Sequence, residues 1–276
     1  MPRLIRFILA FVVLASLVPG KRAAAQTDDA EWLDNCRRES DRGWNNRRET
    51  HCEIREASVR APRGTVTMEG LRNGGVHVTG WDRDQMVVRT RIRAQARSSA
   101  AARALASRVR TVINGSTITA EGPSDNEDEE SWSASLVVSL PRRSDLRVGT
   151  RNGPVSVEQV RGEMNLETRN GPLSLRDLAG TVKARTTNGP LSISLTGNRW
   201  EGEGLDAKTT NGPLTISIPE GYSAHLEAGT TNGPISLGFP VTVVGRINKN
   251  ISTDLGSGGA TVRAETTNGP LTIRRR

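Results

Sequence analysis

From Thr150 onward, one eight-residue phrase of fixed polarity recurs along the chain. TRNGPVSV begins at Thr150, TRNGPLSL at Thr168, TTNGPLSI at Thr186, TTNGPLTI at Thr209, TTNGPISL at Thr230 and TTNGPLTI at Thr266. The sixth and eighth positions are apolar and alternate with Ser or Thr, as in Leu191-Ser192-Ile193. A period of two marks a strand with one buried face. The starts lie 18, 18, 23, 21 and 36 residues apart, and a worn copy, NKNISTDL, starts at Asn248 halfway through the last gap. Seven units with two short insertions therefore tile residues 150–276.

The third position is asparagine in every unit: Asn152, Asn170, Asn188, Asn211, Asn232, Asn250 and Asn268. Gly-Pro follows in all but the worn copy, which has Ile251-Ser252. Thr favours a strand, Asn tolerates a left-handed backbone, Gly fits a sharp corner and Pro opens the next strand. A second strand should follow Gly162 or Gly180, as in Met164-Asn165-Leu166 and Val182-Lys183-Ala184. One such unit cannot bury its own apolar side, so units must stack in register. A propeller blade needs about 40 residues, and the six-residue subperiod of hexapeptide helices is missing. The expected fold is an all-β, parallel, right-handed β-solenoid, one coil per unit, with a single short helical insertion. Its Asn column should form a ladder of amide hydrogen bonds. The competing reading of the Thr and Asn columns is a face that presents hydroxyls and amides to glycan or ice.

Weaker echoes precede the array: RGTVTMEG at 63–70, LRNGGVHVTGW at 71–81 and NGSTITAEGP at 114–123. Residues 61–149 thus read as a first, irregular part of the solenoid. Met86 to Ala94 is a strand with Val88, Thr90 and Ile92 on one face and Arg89, Arg91 and Arg93 on the other. That Arg stripe is a candidate contact for an anionic surface, against the alternatives of a solvated face or a guarded edge. Residues 98–110 read as a helix, capped by Ser98 or Ser99 and rich in Ala. The acidic run Asp125 to Glu130 lacks calcium-loop spacing and reads as a solvated loop. Trp132 to Leu140 is a further strand, ended by Pro141.

Composition narrows the class. Arg3 and Arg6, the apolar run Phe7 to Val18 and Ala23-Ala24-Ala25 form the pattern of a secretory signal peptide over residues 1–25. The run is about 12 residues, short of the roughly 20 that span a bilayer. Without that segment the chain holds 34 basic and 30 acidic residues, a net charge of +4. The charges are segregated: residues 61–111 hold ten basic and three acidic groups, residues 121–145 seven acidic and two basic. Aromatics are only 3% of the chain, which argues against nucleic-acid binding and for a narrow Val, Leu and Ile core. Cys36 and Cys52, both in the polar segment 26–60, are expected to pair as a disulfide within an N-terminal cap. A metal or redox pair beside His51 is the alternative. The C-terminal Arg274-Arg275-Arg276 would blunt an open solenoid edge, or leave it free for end-to-end self-association.

Chemistry is sparse. His51, His77 and His225 are far apart, and no nucleophile elbow, phosphate loop or zinc-protease motif occurs. Asp254 with Glu265 is the sort of carboxylate pair that a solenoid hydrolase would use. No catalytic, cofactor-binding or metal residue is therefore expected, and no cofactor. The repeated TxNGP(L/I/V)(S/T)(L/I) units, GGVHVTGWDRD at 74–84, SWSASLVVSLP, PEGYSAHLEAGTTNGP and CEIRE after Cys52 together resemble a bacterial family. It is the exported β-solenoid domain of unknown function labelled "putative adhesin". The resemblance spans essentially the whole mature chain and implies a β-helical fold and a secreted or cell-envelope location. It brings no catalytic residues. The function expected is a non-catalytic, extracytoplasmic envelope protein that adheres or scaffolds through its solenoid faces. Its partner would be an envelope glycan or surface protein, and it would be peripheral to the membrane at most. The rivals are a self-assembling filament resembling bactofilins and a carbohydrate-active enzyme on a β-helix.

Overall fold

The computed structural model describes residues 20–41, 48–124, 130–238 and 249–276. Most of the expected signal peptide, residues 125–129 of the acidic run and Asn248 lie outside the described residues. The chain opens with helix α1 (Gly20–Asp41), then strands β1 (Glu49–Arg60), β2 (Val66–Asn73), β3 (Val76–Trp81) and β4 (Gln85–Ala96). Helix α2 (Ser99–Arg108) precedes β5 (Arg110–Asn114), β6 (Thr117–Glu121) and β7 (Ser131–Pro141). The array follows as β8 (Leu146–Asn152), β9 (Val155–Glu158), β10 (Arg161–Asn170), β11 (Leu173–Arg176), β12 (Ala179–Asn188) and β13 (Leu191–Ser194). It ends with β14 (Gly204–Asn211), β15 (Leu214–Ile218), β16 (Ala224–Asn232), β17 (Ile235–Leu237), β18 (Asn250–Leu255), β19 (Thr261–Asn268) and β20 (Leu271–Arg275).

Each repeat is a long strand, a corner at Asn-Gly-Pro and a short strand, so every coil gives one strand to each of two sheets. One sheet runs β1-β4-β7-β3-β9-β11-β13-β15-β20-β17, the other β18-β16-β19-β14-β12-β10-β8-β2-β6-β5. Within the array the register is strict: Thr168 opposes Thr150 and Thr186, and Leu173 opposes Val155 and Leu191. Inward Val, Leu, Ile and Ala from both sheets form one core cluster along the whole stack. Among the described residues, bulky aromatics enter it only where units are lengthened, at Trp200 and Tyr222. The fold is a β-solenoid. The sequence echo at 66–81 is a true rung, with Asn73 opposite Asn152 and Val76 opposite Val155. The described residues of 82–145 form an excursion between that rung and the next.

Three features differ from the sequence reading. First, the rungs do not stack in chain order. β19 lies between β14 and β16, and β20 lies between β15 and β17, so the last repeat is wedged inside the stack. Arg274 therefore pairs in register with Ser217 rather than guarding an edge, and the Arg triplet does not mark a free solenoid end. Second, the worn copy is not a rung. Without Gly-Pro it makes no corner, and β18 runs antiparallel to β16 at the sheet's edge. Third, the described residues form two helices where one was expected. α1 had no apolar stripe to announce it; it is held by polar contacts and the disulfide.

The N-terminal end is closed on both faces. α2 covers the inner side of the extended β4, where Leu105, Ala106 and Val109 pack on Ile92, Ala94 and Ala134. Ser98 caps it, its hydroxyl accepting from the Ala101 N–H at 3.2 Å. Arg55 donates to the Ala106 and Val109 carbonyls at the other end of α2, where a cation suits the helix dipole. Cys36 of α1 is bonded to Cys52 of β1. Closing this loop stabilises by about 3 kcal/mol in the chain-entropy model. Reduction is expected to release α1 first, seen as early cleavage in 28–41 by limited proteolysis. Unchanged cleavage there would show that α1 holds without the bridge.

Candidate functional site

The most regular surface of the molecule is the Asn-Gly-Pro corner. Its amides form one file: Asn152 Nδ2 donates to Asn73 Oδ1 at 3.1 Å, Asn170 to Asn152 and Asn188 to Asn170 at 2.8 Å. Asn211 donates to Asn188 and Asn268 to Asn211 at 2.8 Å, and Asn232 to Asn268 at 2.9 Å. All these amides are solvent-exposed. Asn250 is outside the file: it opposes Gly229 on antiparallel β18. Asn73, in a Leu-Arg-Asn-Gly-Gly variant of the motif, supplies the first rung instead. These Asn residues are not left-handed, because the described non-glycine residues with positive φ are Gln159 and Asp177, at the opposite corner. Asn is used here for its amide, which both donates and accepts.

A second ladder lies just inside the first, and the sequence reading missed it. The Thr hydroxyls at the first position are buried and donate to corner glycine carbonyls on the neighbouring rung: Thr168 to Gly153 at 3.0 Å, Thr186 to Gly171 at 3.0 Å, Thr209 to Gly189 at 2.9 Å. Thr266 reaches Gly212, Thr230 reaches Gly269 and Thr150 reaches Gly74 in the same way. The only sequence signal was Thr at that position in all six intact units, which strand propensity alone also explains. A buried hydroxyl bond costs more to lose than an exposed amide bond. Thr186→Val is thus expected to cost about 1–3 kcal/mol and Asn188→Ala about 1. Ser192→Ala on the exposed face should stay within about 0.5 kcal/mol. Thermal melting of the three variants checks the order, and equal midpoints would contradict both ladders.

Charged groups elsewhere are mostly paired. Asp29 and Asp28 of α1 bind Arg89 and Arg91, each of whose side chains is only 13% exposed, and Arg91 lies 5.7 Å over the Trp32 ring. Arg89 and Arg91 of the stripe Arg89, Arg91, Arg93 therefore dock α1 and are not an open anionic-surface contact. Glu69 raises the Arg147 pKa by hydrogen bonding and Glu227 does the same for Arg263. Burial pushes the Tyr222 phenol above its ordinary value, with Glu201 adding to it. Asp254 and Glu265 do not form a pair: Asp254 binds His225 Nδ1 at 2.7 Å, while Glu265 binds Lys208 at 2.9 Å. His225 Nε2 also lies 3.3 Å from Ser252 Oγ. This Ser-His-Asp set sits on an exposed sheet face, and Glu227 approaches the same Nε2 at 3.7 Å. It reads as an ion-pair lattice tying β18 to β16, without the water-excluded oxyanion site that acyl transfer needs. His51 lies 3.3 Å from Glu53, and His77 lies 3.6 Å from Glu158. No group of three or more metal-ligating side chains occurs among the described residues.

A stack of corner-linked coils over residues 49–274 matches the family model described as Toastrack DUF4097. The chain belongs to the Toastrack DUF4097 family. No curated protein matches this Toastrack chain. Among solved structures it is similar to a "putative cell adhesion protein" from Clostridium sporogenes, at 11% identity and TM-score 0.42, covering 83% of this chain and 100% of that one. A "putative adhesin" from Bacteroides fragilis shares 8% identity at TM-score 0.33, over 81% and 97% of the two chains. A "putative lipid binding protein" from Parabacteroides distasonis shares 9% at TM-score 0.28, over 81% and 96%. Likenesses this remote carry no functional argument for the Toastrack chain.

Proposed function

We propose that this protein is a non-catalytic, exported cell-envelope protein that adheres or scaffolds through its solenoid faces. The observation that carries the reading is the exposed corner, where amides stand in one continuous file. Columns of Ser and Thr flank it, such as Ser156, Ser174, Ser192 and Thr215 on the neighbouring sheet. A repeating array of donors and acceptors on a rigid scaffold suits a repeating polar partner better than a single small molecule. Export is supported by the signal-like residues 1–25 and by the Cys36–Cys52 bridge, since disulfides persist in oxidising compartments. The periplasm or the cell surface is the place proposed.

Sedimentation with isolated bacterial envelopes tests the proposal. The purified mature protein should co-sediment saturably, leave envelope polysaccharide uncleaved and keep one mass by light scattering at all concentrations. Remaining in the supernatant would defeat adhesion. Polysaccharide turnover would turn the case to an enzyme, and a mass that climbs with concentration would turn it to a filament.

A further inference from the structure

Beside the amide file, the second position of each repeat forms its own exposed column. It reads Arg151, Arg169, Thr187 and Thr210 along successive rungs. The outer sheet face next to it places opposite charges together: Arg185 binds Asp206, Lys208 binds Glu265 and Arg263 binds Glu227. Arg151 and Arg169 break that habit. They stand on adjacent strands, about 4.8 Å apart along the stack, both exposed. Among the described residues neither has a hydrogen-bond or ion-pair partner. Like charges directly opposite in a sheet are destabilising, so the scaffold gains nothing from this pair. The two arginines and Asn73, Asn152, Asn170 and Asn188 line an open groove of about 450 Å³.

We infer that this groove is a binding site for an acidic glycan, with one carboxylate or phosphate of the sugar clamped between Arg151 and Arg169. Guanidinium forks match oxyanions of that shape and bind them strongly. The neighbouring amides supply the rest. Asn152, Asn170 and Asn188 each spend one Nδ2 N–H along the file and keep a second, Asn73 only accepts in it, and each of these Oδ1 atoms keeps a lone pair, so the file can serve sugar hydroxyls as donor and acceptor together. Among the described residues the groove lining includes no aromatic side chain, so it offers no stacking platform of the kind that single-stranded nucleic acids use. An oxyanion on the ligand is therefore the principal source of affinity. The site rests on the adhesive reading above and specifies its chemistry.

Calorimetry at low salt tests it on the full mature protein. The probes are a galacturonate hexamer, the same hexamer methyl-esterified, glucose 6-phosphate, inorganic phosphate and an oligo-aspartate of equal charge. The galacturonate hexamer should bind, with the sugar phosphate as the other admissible source of the oxyanion. The esterified hexamer should not bind. R151A/R169A should weaken binding by about tenfold or more with an unchanged melting temperature, and the single variants R151A and R169A should fall between. Binding that is unaltered in the double variant overturns the inference, as does failure of both acidic sugars to bind. Equal affinity for inorganic phosphate or oligo-aspartate would reduce the site to a plain anion patch and overturn the glycan assignment. If the double variant sediments with envelopes at the same half-saturating concentration as wild type, the inference fails while the adhesive reading stands. If wild type does not sediment, the adhesive reading fails by itself.

Discussion

Deleting residues 261–276 is expected to collapse the distal part of the solenoid, where removal of an outer coil would only shorten it. Those residues form β19 and β20, each paired on both sides. Their inward Val262, Leu271 and Ile273 are fully buried. Three such side chains represent on the order of 5–9 kcal/mol of apolar burial, comparable to the whole stability of an ordinary domain, about 5–15 kcal/mol. The loss would also strand β16 and β17, whose parallel neighbours are gone, together with β18, which pairs antiparallel with β16, and expose Leu214 and Ile216 of β15. Urea denaturation should show a much lower midpoint, and limited proteolysis should open the chain beyond Ile218. A midpoint equal to wild type would mean that the last repeat is peripheral and that the wedged order is wrong.

Gly189→Ala is expected to destabilise the stack by a smaller amount, for a different reason. A Cβ at Gly189 would stand 2.1 Å from the Gly171 carbonyl oxygen and 2.5 Å from its carbon. The obstacle is backbone, so no side-chain rotation relieves it, and the same contact recurs on every rung. Overpacking of this kind costs about 1–3 kcal/mol or more, which lowers the melting temperature of a chain this size by roughly 2–4 °C per kcal/mol. Gly149→Ala is the control. Gly149 has no left-handed backbone, and the nearest atom to the added carbon is in the flexible Glu69 side chain at 3.4 Å, so the change should stay within about 0.5 kcal/mol. If the two variants melt together, the corner glycines are not set by the closeness of stacked coils.

Local chemistry was legible in the sequence where each residue type has one physical use. The alternation Leu191-Ser192-Ile193 reads as a half-buried strand, and in the structure Leu191 and Ile193 are buried while Ser192 is exposed. Ser98 before an Ala-rich run reads as a helix cap, and it caps α2. The order of the coils was not legible, because the units are nearly identical. Leu271 packs as well between Leu214 and Ile235 as it would at an end, and no side chain in the motif distinguishes the two. The worn copy shows the same limit from the other side. Its Asn250 matches the motif, but without Gly-Pro to turn the chain the strand reverses, and alternation alone does not reveal direction. The candidate groove was partly visible: the amides were expected, but the meaning of Arg151 and Arg169 depended on knowing which charges around them are already paired. The Arg89 stripe failed for that reason too, since α1, read only as polar sequence, carries the aspartates that occupy it.

The stacking order itself can be measured by engineered cysteine pairs. Ser236 of β17 lies opposite Thr272 of β20, and Thr272 lies opposite Thr215 of β15. Adjacent strands hold Cα atoms within the range that a disulfide spans, about 4.4–6.8 Å, whereas strands two apart do not. Ser236→Cys with Thr272→Cys should oxidise readily to an intramolecular bond, while Ser236→Cys with Thr215→Cys should remain reduced. Closure of the second pair and not the first would show that the coils follow one another in chain order, contradicting the wedged solenoid.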